Sequence, residues 1–297
     1  MLRSRAATGA SIALLVLIWG TTWAAIRICL RGFPPLAGVA LRFAIAGAAL
    51  LAIAPFFGVR LGGGWRTWRV WILNTLLTFC ISYSVLYWAE QWVPSGLASV
   101  LFATFPLFVA ILAHFVLPGE RLTVVGLLGV LIGFAGVAVI FSEDFDKLLG
   151  PKVAFASVVV LLSPICSAFG SVGVKKWGAG IHPLSTAAVP MVLTGLLVAP
   201  VAWAQGGIQD IHLATGPVLA LFYLALVGSA VPFTLYFTLL KRLKATQLSL
   251  INYAVPVVAV IVGAVFLKEP VTVRVVIGAA LVIIGVAVAG RAKEKPA

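Results

Sequence analysis

The chain has 297 residues, of which 62% are hydrophobic and 10% charged, and its mean hydropathy is +1.16. Ordinary soluble domains carry about 25% charged residues, so the composition excludes a typical soluble enzyme or binding module and places the chain in the membrane class. The net charge of +13 would suit nucleic acid, but the basic residues fall between apolar runs rather than on one face. They read as topology signals, and no nucleic-acid partner is expected.

A membrane-crossing helix needs about 20 mostly apolar residues. Ten segments qualify: 9–30, 34–57, 67–90, 95–117, 122–141, 152–174, 183–203, 214–240, 246–267 and 272–290. The links between them are short and carry turn signals such as Phe33-Pro34-Pro35 and Gly62-Gly63-Gly64. The opening Met-Leu-Arg-Ser-Arg before an apolar run resembles a signal peptide. Removing it would leave the first half one helix short, so it reads as a retained first span.

Segment one carries Trp19 and Trp23, four residues apart, with Thr22 beside them. Trp23 reads as an interface anchor. Trp19 is too deep for that, and its N–H needs a partner, so it is expected to line a cavity. In segment two, Arg42 stands about 12 Å along the helix from Pro34. A guanidinium at that depth needs a partner. It either holds a carboxylate substrate or pairs with backbone carbonyls or with Glu90. Glu90 is otherwise solvated at the end of segment three.

At helical spacing, segment three gives one polar and aromatic stripe: Thr75, Thr78, Phe79, Ser82, Tyr83, Tyr87 and Glu90. Such a stripe should face the bundle interior, either lining a substrate path or bonding neighbouring helices. Segment four holds Pro106 and segment nine Pro256. A proline inside a helix frees the carbonyl four residues back, here those of Phe102 and Asn252. The two prolines read as paired hinges or as static kinks. Ser163 and Ser167 on segment six, and Asn252 and Tyr253 on segment nine, are further candidates for substrate contact or interhelical bonding. Segment eight offers Ser229, Pro232, Phe233, Tyr236 and Phe237, again rich in aromatics.

Residues Ser95 to Glu120, slid by 150, fall on Ala245 to Glu269: Ser99 meets Ser249, Pro106 meets Pro256 and Leu117 meets Leu267. After a one-residue slip, Glu120 meets Glu269, Gly129 meets Gly278 and Gly136 meets Gly285. Trp19-Gly20 falls on Phe169-Gly170. The chain therefore reads as two copies of a five-span unit, residues 1–147 and 148–297. Five is odd, so the second copy enters the bilayer upside down, an architecture common among transporters. With the N-terminus in the cytoplasm, fourteen Lys and Arg fall on inner segments and five on outer ones. The positive-inside rule then puts both termini inside.

Ten spans in two five-span copies, Trp-Gly in the first helix, Arg42-Phe43 in the second, a mid-helix proline in the fourth and ninth and a short acidic turn after each resemble the EamA family of the drug/metabolite transporter superfamily. The closest resemblance within it is to the YddG-type exporters of aromatic and other neutral amino acids. The resemblance implies an all-α inner-membrane protein of bacteria that exports small metabolites. It also weights Arg42 toward a structural role, because the Arg-Phe pair is common across a family whose substrates differ.

No Asp or Glu lies near the middle of any segment, so a carboxylate proton relay is hard to build. Gradient-driven movement is expected, or coupling by a route the sequence hides. His114, His182 and His212 fall near helix ends, and Cys29, Cys80 and Cys166 read as packing residues. An enzyme would need a catalytic constellation that three histidines and eight acidic residues do not supply. No cofactor or metal is expected. The expected partners are the lipid bilayer and a small-molecule substrate, with the chain acting as a monomer or weak oligomer. Aromatic, hydroxyl and amide groups with few charges suit a small apolar zwitterion. The alternative is a lipophilic cation or a phosphorylated metabolite on the same fold.

Overall fold

A computed structural model describes residues 5–93, 95–140, 142, 150–207, 209–266 and 273–291. Glu269, the 147–148 junction and the basic residues Arg3, Lys147, Lys268, Lys293 and Lys295 lie outside this range. Among the described residues all regular structure is helical. The chain opens with α1 (Arg5–Cys29) and α2 (Pro35–Ile53). A long run follows, made of α3 (Trp65–Leu73), a π-helical stretch (Asn74–Ile81) and α4 (Ser82–Ala89). Then come α5 (Ser95–Phe102), α6 (Phe105–Val116), α7 (Val124–Ile140), α8 (Pro151–Val160), α9 (Leu162–Trp177) and α10 (Pro183–Ala204). The next run is α11 (Thr215–Ala225), a second π-helical stretch (Leu226–Ala230) and α12 (Val231–Leu240). The described chain ends with α13 (Ala245–Ser249), α14 (Ile251–Phe266) and α15 (Val273–Arg291).

Seven helical runs are long and apolar enough to cross a membrane, and Val124–Ile140, Ala245–Val258 and Val276–Gly290 are shorter apolar helices. The outer surface matches that reading. Leu17, Phe115, Val158, Leu196, Leu219 and Ile283 are exposed, a pattern that water penalises and lipid accepts. Phe56, Phe57, Trp65 and Trp203 are exposed near helix ends, where amphipathic rings meet the headgroups.

Lipid gives helices no hydrophobic reason to associate, so close packing must. Two helix pairs are built that way. α2 packs along α10, where a Cβ on Gly47 would lie 2.6 Å from the Val192 nitrogen and one on Gly195 would lie 3.0 Å from the Ala44 backbone. α7 packs along α15, where a Cβ on Gly136 would lie 2.7 Å from both the Gly278 oxygen and the Val282 nitrogen. α1 lies against α14 and α11, and α9 lies against α6 and the first π stretch.

Charged groups tie helix ends together. Arg27 on α1 donates to the carbonyls of Glu90 (3.1 Å) and Val93 (3.5 Å) beyond α4. Lys175 on α9 does the same beyond α12, donating to Leu240 and Leu243 at 2.7 Å each. The acceptors of Lys175 stand 150 residues after those of Arg27. Glu120, 4% exposed, accepts from the N–H groups of Ala245 and Thr246 (2.9 Å each) and from the Thr246 hydroxyl (3.0 Å). It thereby caps α13, satisfying donors that a helix leaves orphaned at its N-terminus.

The two prolines do not break their segments in the same way. Segment four divides at Ala103–Thr104, and Pro106 stands in the first turn of α6. There the missing N–H is no loss. Segment nine divides at Leu250, while Pro256 lies inside the continuous α14. The expected mid-helix position therefore holds for Pro256 and not for Pro106, and Phe102 is the last residue of α5 rather than a mid-helix residue whose carbonyl is freed.

Candidate transport cavity

The π stretches decide what faces inward. A π stretch pairs residues five apart rather than four. Across Asn74–Ile81 this shifts the register by one residue, so Thr78 and Tyr83, five apart, meet on one face. Both line a cavity between the helices. Its other walls come from α1 (Trp19, Thr22, Trp23, Ile26), α2 (Arg42), α5 and α6 (Phe102, Phe105), α9 (Ser167, Ser171), α12 (Phe233, Tyr236, Phe237) and α14 (Asn252, Val255).

Aromatic edges form much of that wall. Trp19 meets Phe233 and Tyr236 with ring centroids 5.6 and 5.7 Å away, and Trp23 meets Phe102 at 6.0 Å. Two polar atoms of lining residues are buried and unpartnered: Trp19 Nε1 and Thr78 Oγ1. The first can only donate and the second can do either. A buried polar atom left without a partner is costly in a finished core, and is natural where a ligand supplies the partner. Several other lining groups are already engaged. The Ser171 and Tyr236 hydroxyls bond each other at 2.7 Å, and Asn252 Nδ2 donates to the Ser249 carbonyl at 3.1 Å.

Arg42 touches the cavity but is not a free charge. It is 1% exposed, and Nε donates to Ser229 Oγ (2.8 Å), Nη1 to the Tyr87 hydroxyl (3.1 Å) and Nη2 to the Gly228 carbonyl (3.2 Å). Its guanidinium also lies 4.8 Å from the Tyr83 ring centre. The partners in the second π stretch are available because that stretch turns the Gly228 carbonyl and Ser229 inward. A buried Arg with this many fixed acceptors knits α2, α4 and the α11–α12 run together.

Of the residues singled out in the sequence, Trp19, Thr78, Tyr83, Ser167, Asn252 and Arg42 come together around the cavity. Others do not line it. Ser82 bonds both Ser163 and Ser167 at 2.8 Å, so Ser82 and Ser163 join helices. Phe79 is packed between Phe43 (5.0 Å) and Phe233 (4.8 Å). Tyr87 holds Arg42. Tyr253 points away into a second core, where its hydroxyl donates to the Val130 carbonyl at 2.8 Å over Gly133. Glu90 is neither solvated nor paired with Arg42: it is 1% exposed, and neither carboxylate oxygen has a hydrogen-bond partner. Trp23, expected as an interface anchor, lines the cavity one turn from Trp19. Phe105 and Ser171 were not singled out, and Phe102 only for its carbonyl; the four-residue spacing of Ser163, Ser167 and Ser171 was the signal for the last. Phe233, Tyr236 and Phe237 carried the signal in their aromatic spacing on segment eight.

A bundle of apolar helices around a central aromatic cavity, with no extramembrane domain among the described residues, is the architecture of a membrane carrier. The chain belongs to the EamA-like transporter family, of the drug/metabolite transporter superfamily, whose profile matches residues 8–142 and again 154–291. It is 24% identical to the uncharacterized transporter YvbV of Bacillus subtilis, over 93% of this chain and 89% of that protein. It is 28% identical to an uncharacterized transporter of Archaeoglobus fulgidus, over 93% and 95% of the two chains. It is 29% identical to the uncharacterized inner membrane transporter YedA of Escherichia coli, over 84% and 79%. One solved crystal structure shares the fold with a TM-score of 0.81 at 23% identity, covering 96% of this chain and 97% of that one. The chain is thus a multi-pass membrane transporter.

Proposed function

We propose that this transporter exports small neutral amino acids with aromatic or branched apolar side chains from the bacterial cytoplasm across the inner membrane. The observation that carries the reading is the composition of the cavity wall: aromatic rings, hydroxyls and an amide, with Arg42 as the one charged lining residue and each of its three nitrogens already bonded within the protein. Trp19 Nε1 and the Thr78 hydroxyl, buried and without a partner in the protein, are the donors this reading assigns to a substrate carboxylate. The rings offer an apolar berth for the side chain and cation–π contact for the ammonium. A phosphorylated metabolite would need converging free cations, which this wall lacks.

The ten-span reading treats the shorter helices α7, α13–α14 and α15 as crossings, with both termini cytoplasmic. Two inverted five-helix repeats, residues 1–147 and 148–297, are supported by the twofold match of the family profile. The 150-residue register between the helix-end bonds of Arg27 and Lys175 agrees with them. Two mirrored halves give two mirrored states, so transport proceeds by alternating access, with Pro106 and Pro256 as the hinge pair. The test is uptake and efflux of radiolabelled phenylalanine, tryptophan and leucine in liposomes holding the purified chain. Movement faster than in empty liposomes, slowed by Trp19→Ala or Tyr83→Ala, is expected. If no neutral amino acid moves while a lipophilic cation or a nucleotide sugar does, the substrate assignment is wrong.

A further inference from the structure

Glu90 follows α4 as its C-terminal cap residue and is 1% exposed, with both carboxylate oxygens unpartnered. Two cations lie within electrostatic reach, Arg27 of α1 and Arg42 of α2. Neither bonds the carboxylate: Arg27 gives Nη1 to the backbone carbonyls of Glu90 and Val93, and Arg42 gives an N–H from each nitrogen to Ser229, Tyr87 and Gly228. Tyr87, one turn earlier on the same run, and Cys29 of α1 are the other titratable neighbours in this group. A second, open cavity passes one residue away, lined by Gln91, Trp92 and Asp210 among others. Water can therefore come close to the carboxyl without reaching it in this conformation.

The fold does not need an acid here. The bonds that Arg27 makes to Glu90 and Val93 recur 150 residues later as those of Lys175 to Leu240 and Leu243. The residue standing for Glu90 is Leu240, and the same end-cap is built with an aliphatic side chain. An ionised, unpaired carboxylate in such a place is among the most unfavourable things a membrane protein can bury. Its presence on one side of an otherwise matched pair marks a function.

We infer that Glu90 is a proton-binding site that couples transport to the pH gradient. In this conformation the carboxyl carries its proton. When the bundle rearranges and Arg27 or Arg42 is released from its carbonyl and hydroxyl partners, the Glu90 O–H gives its proton to water in the neighbouring cavity. The carboxylate that remains pairs with the freed guanidinium. The return step takes a proton from water and frees the guanidinium again. The coupling rests on the carrier reading above, whereas the proton site itself does not.

The test uses the full chain in liposomes and has two independent arms. Infrared difference spectra between pH 5 and pH 9 are expected to contain a protonated-carboxyl band that Glu90→Gln removes. Identical spectra for the two proteins overturn the inference. Glu90→Leu, which copies Leu240, is expected to melt no lower than the parent chain and to lack the same band. A clear drop in its melting temperature would make the carboxyl structural and also overturn the inference. In the second arm, a pH difference of one unit is expected to drive up to about tenfold accumulation of labelled phenylalanine at one proton per substrate, and none in Glu90→Leu. Phenylalanine transport that ignores the gradient overturns the coupling. No phenylalanine transport at all refutes the substrate reading instead, and the infrared arm still decides the proton site.

Discussion

Removing the Glu120 carboxylate should loosen the bundle where α6 and α13 meet. In Glu120→Ala the N–H groups of Ala245 and Thr246 lose their 2.9 Å acceptors, and the Thr246 hydroxyl loses its partner at 3.0 Å. Hydrogen bonds to a charged group contribute about 1.5–3 kcal/mol each. The two backbone bonds then set an upper range of about 3–6 kcal/mol. The site is at a helix end, where water enters once the side chain is gone, so the low end applies, about 3 kcal/mol. For a chain of this size that lowers the melting temperature by about 6 °C. The measurement is thermal unfolding in detergent followed by tryptophan fluorescence, with Glu120→Asp as an intermediate case because its carboxylate falls one methylene short. If this contact exists in only one of the two transport states, the same 3 kcal/mol changes their ratio by a factor of about 150. A cysteine placed in the cavity wall would then gain reactivity toward a water-soluble maleimide. A Glu120→Ala protein that melts within about 1 °C of the parent would refute the cap as a stabilising contact.

Three other outcomes follow from the packing and the helix ends. Tyr253→Phe loses one buried bond to the Val130 carbonyl, so stability should fall by about 1–2 kcal/mol while phenylalanine transport is unchanged; an equal loss of transport would place Tyr253 back at the substrate path. Gly136→Val would drive a branched side chain into the Gly278 and Val282 backbone, and size-exclusion chromatography after expression should yield no monodisperse protein. His182 caps α10 by accepting from the Leu184 N–H at 3.2 Å, and burial, with Lys241 nearby, holds its imidazole below the ordinary 6.5. A lowered folded value means the neutral form stabilises: the contribution is complete above 6.5 and is lost as pH falls through the folded value. His182→Asn keeps a capping acceptor without titrating, so its melting temperature should fall less between pH 7.5 and pH 5; equal falls would refute the cap.

Much of this arrangement was legible in the sequence. The apolar runs, the depth of Trp19, the need of Arg42 for fixed partners and the echo of Ser95–Glu120 all follow from spacing and hydropathy. The polar stripe of segment three was only half legible, and the π stretch is the reason. A regular α-helical period puts Ser82 one turn from Thr78 on the same face, whereas the extra residue in the turn brings Tyr83 under Thr78 and sends Ser82 to Ser163 and Ser167. Nothing in Asn74–Ile81 announces that turn, because it depends on what the neighbouring helices offer. Glu90 was misread for a different reason. Its position at the end of a segment suggested water, but Arg27 draws the chain after α4 inward and covers it. The prolines illustrate a third case: their sequence positions match, while the breaks in the two helices do not.

The glycine seam between α7 and α15 has a consequence for how the protein is made. Its two faces are separated in the chain by α8 through α14, so α15 leaves the ribosome well after α7. Until it arrives, Gly129, Gly133 and Gly136 present a bare backbone groove to whatever passes in the bilayer. A nascent or truncated chain therefore carries an unmatched half of a zipper. The mate that closes it is α15, so the groove stays open until seven further helices have been made.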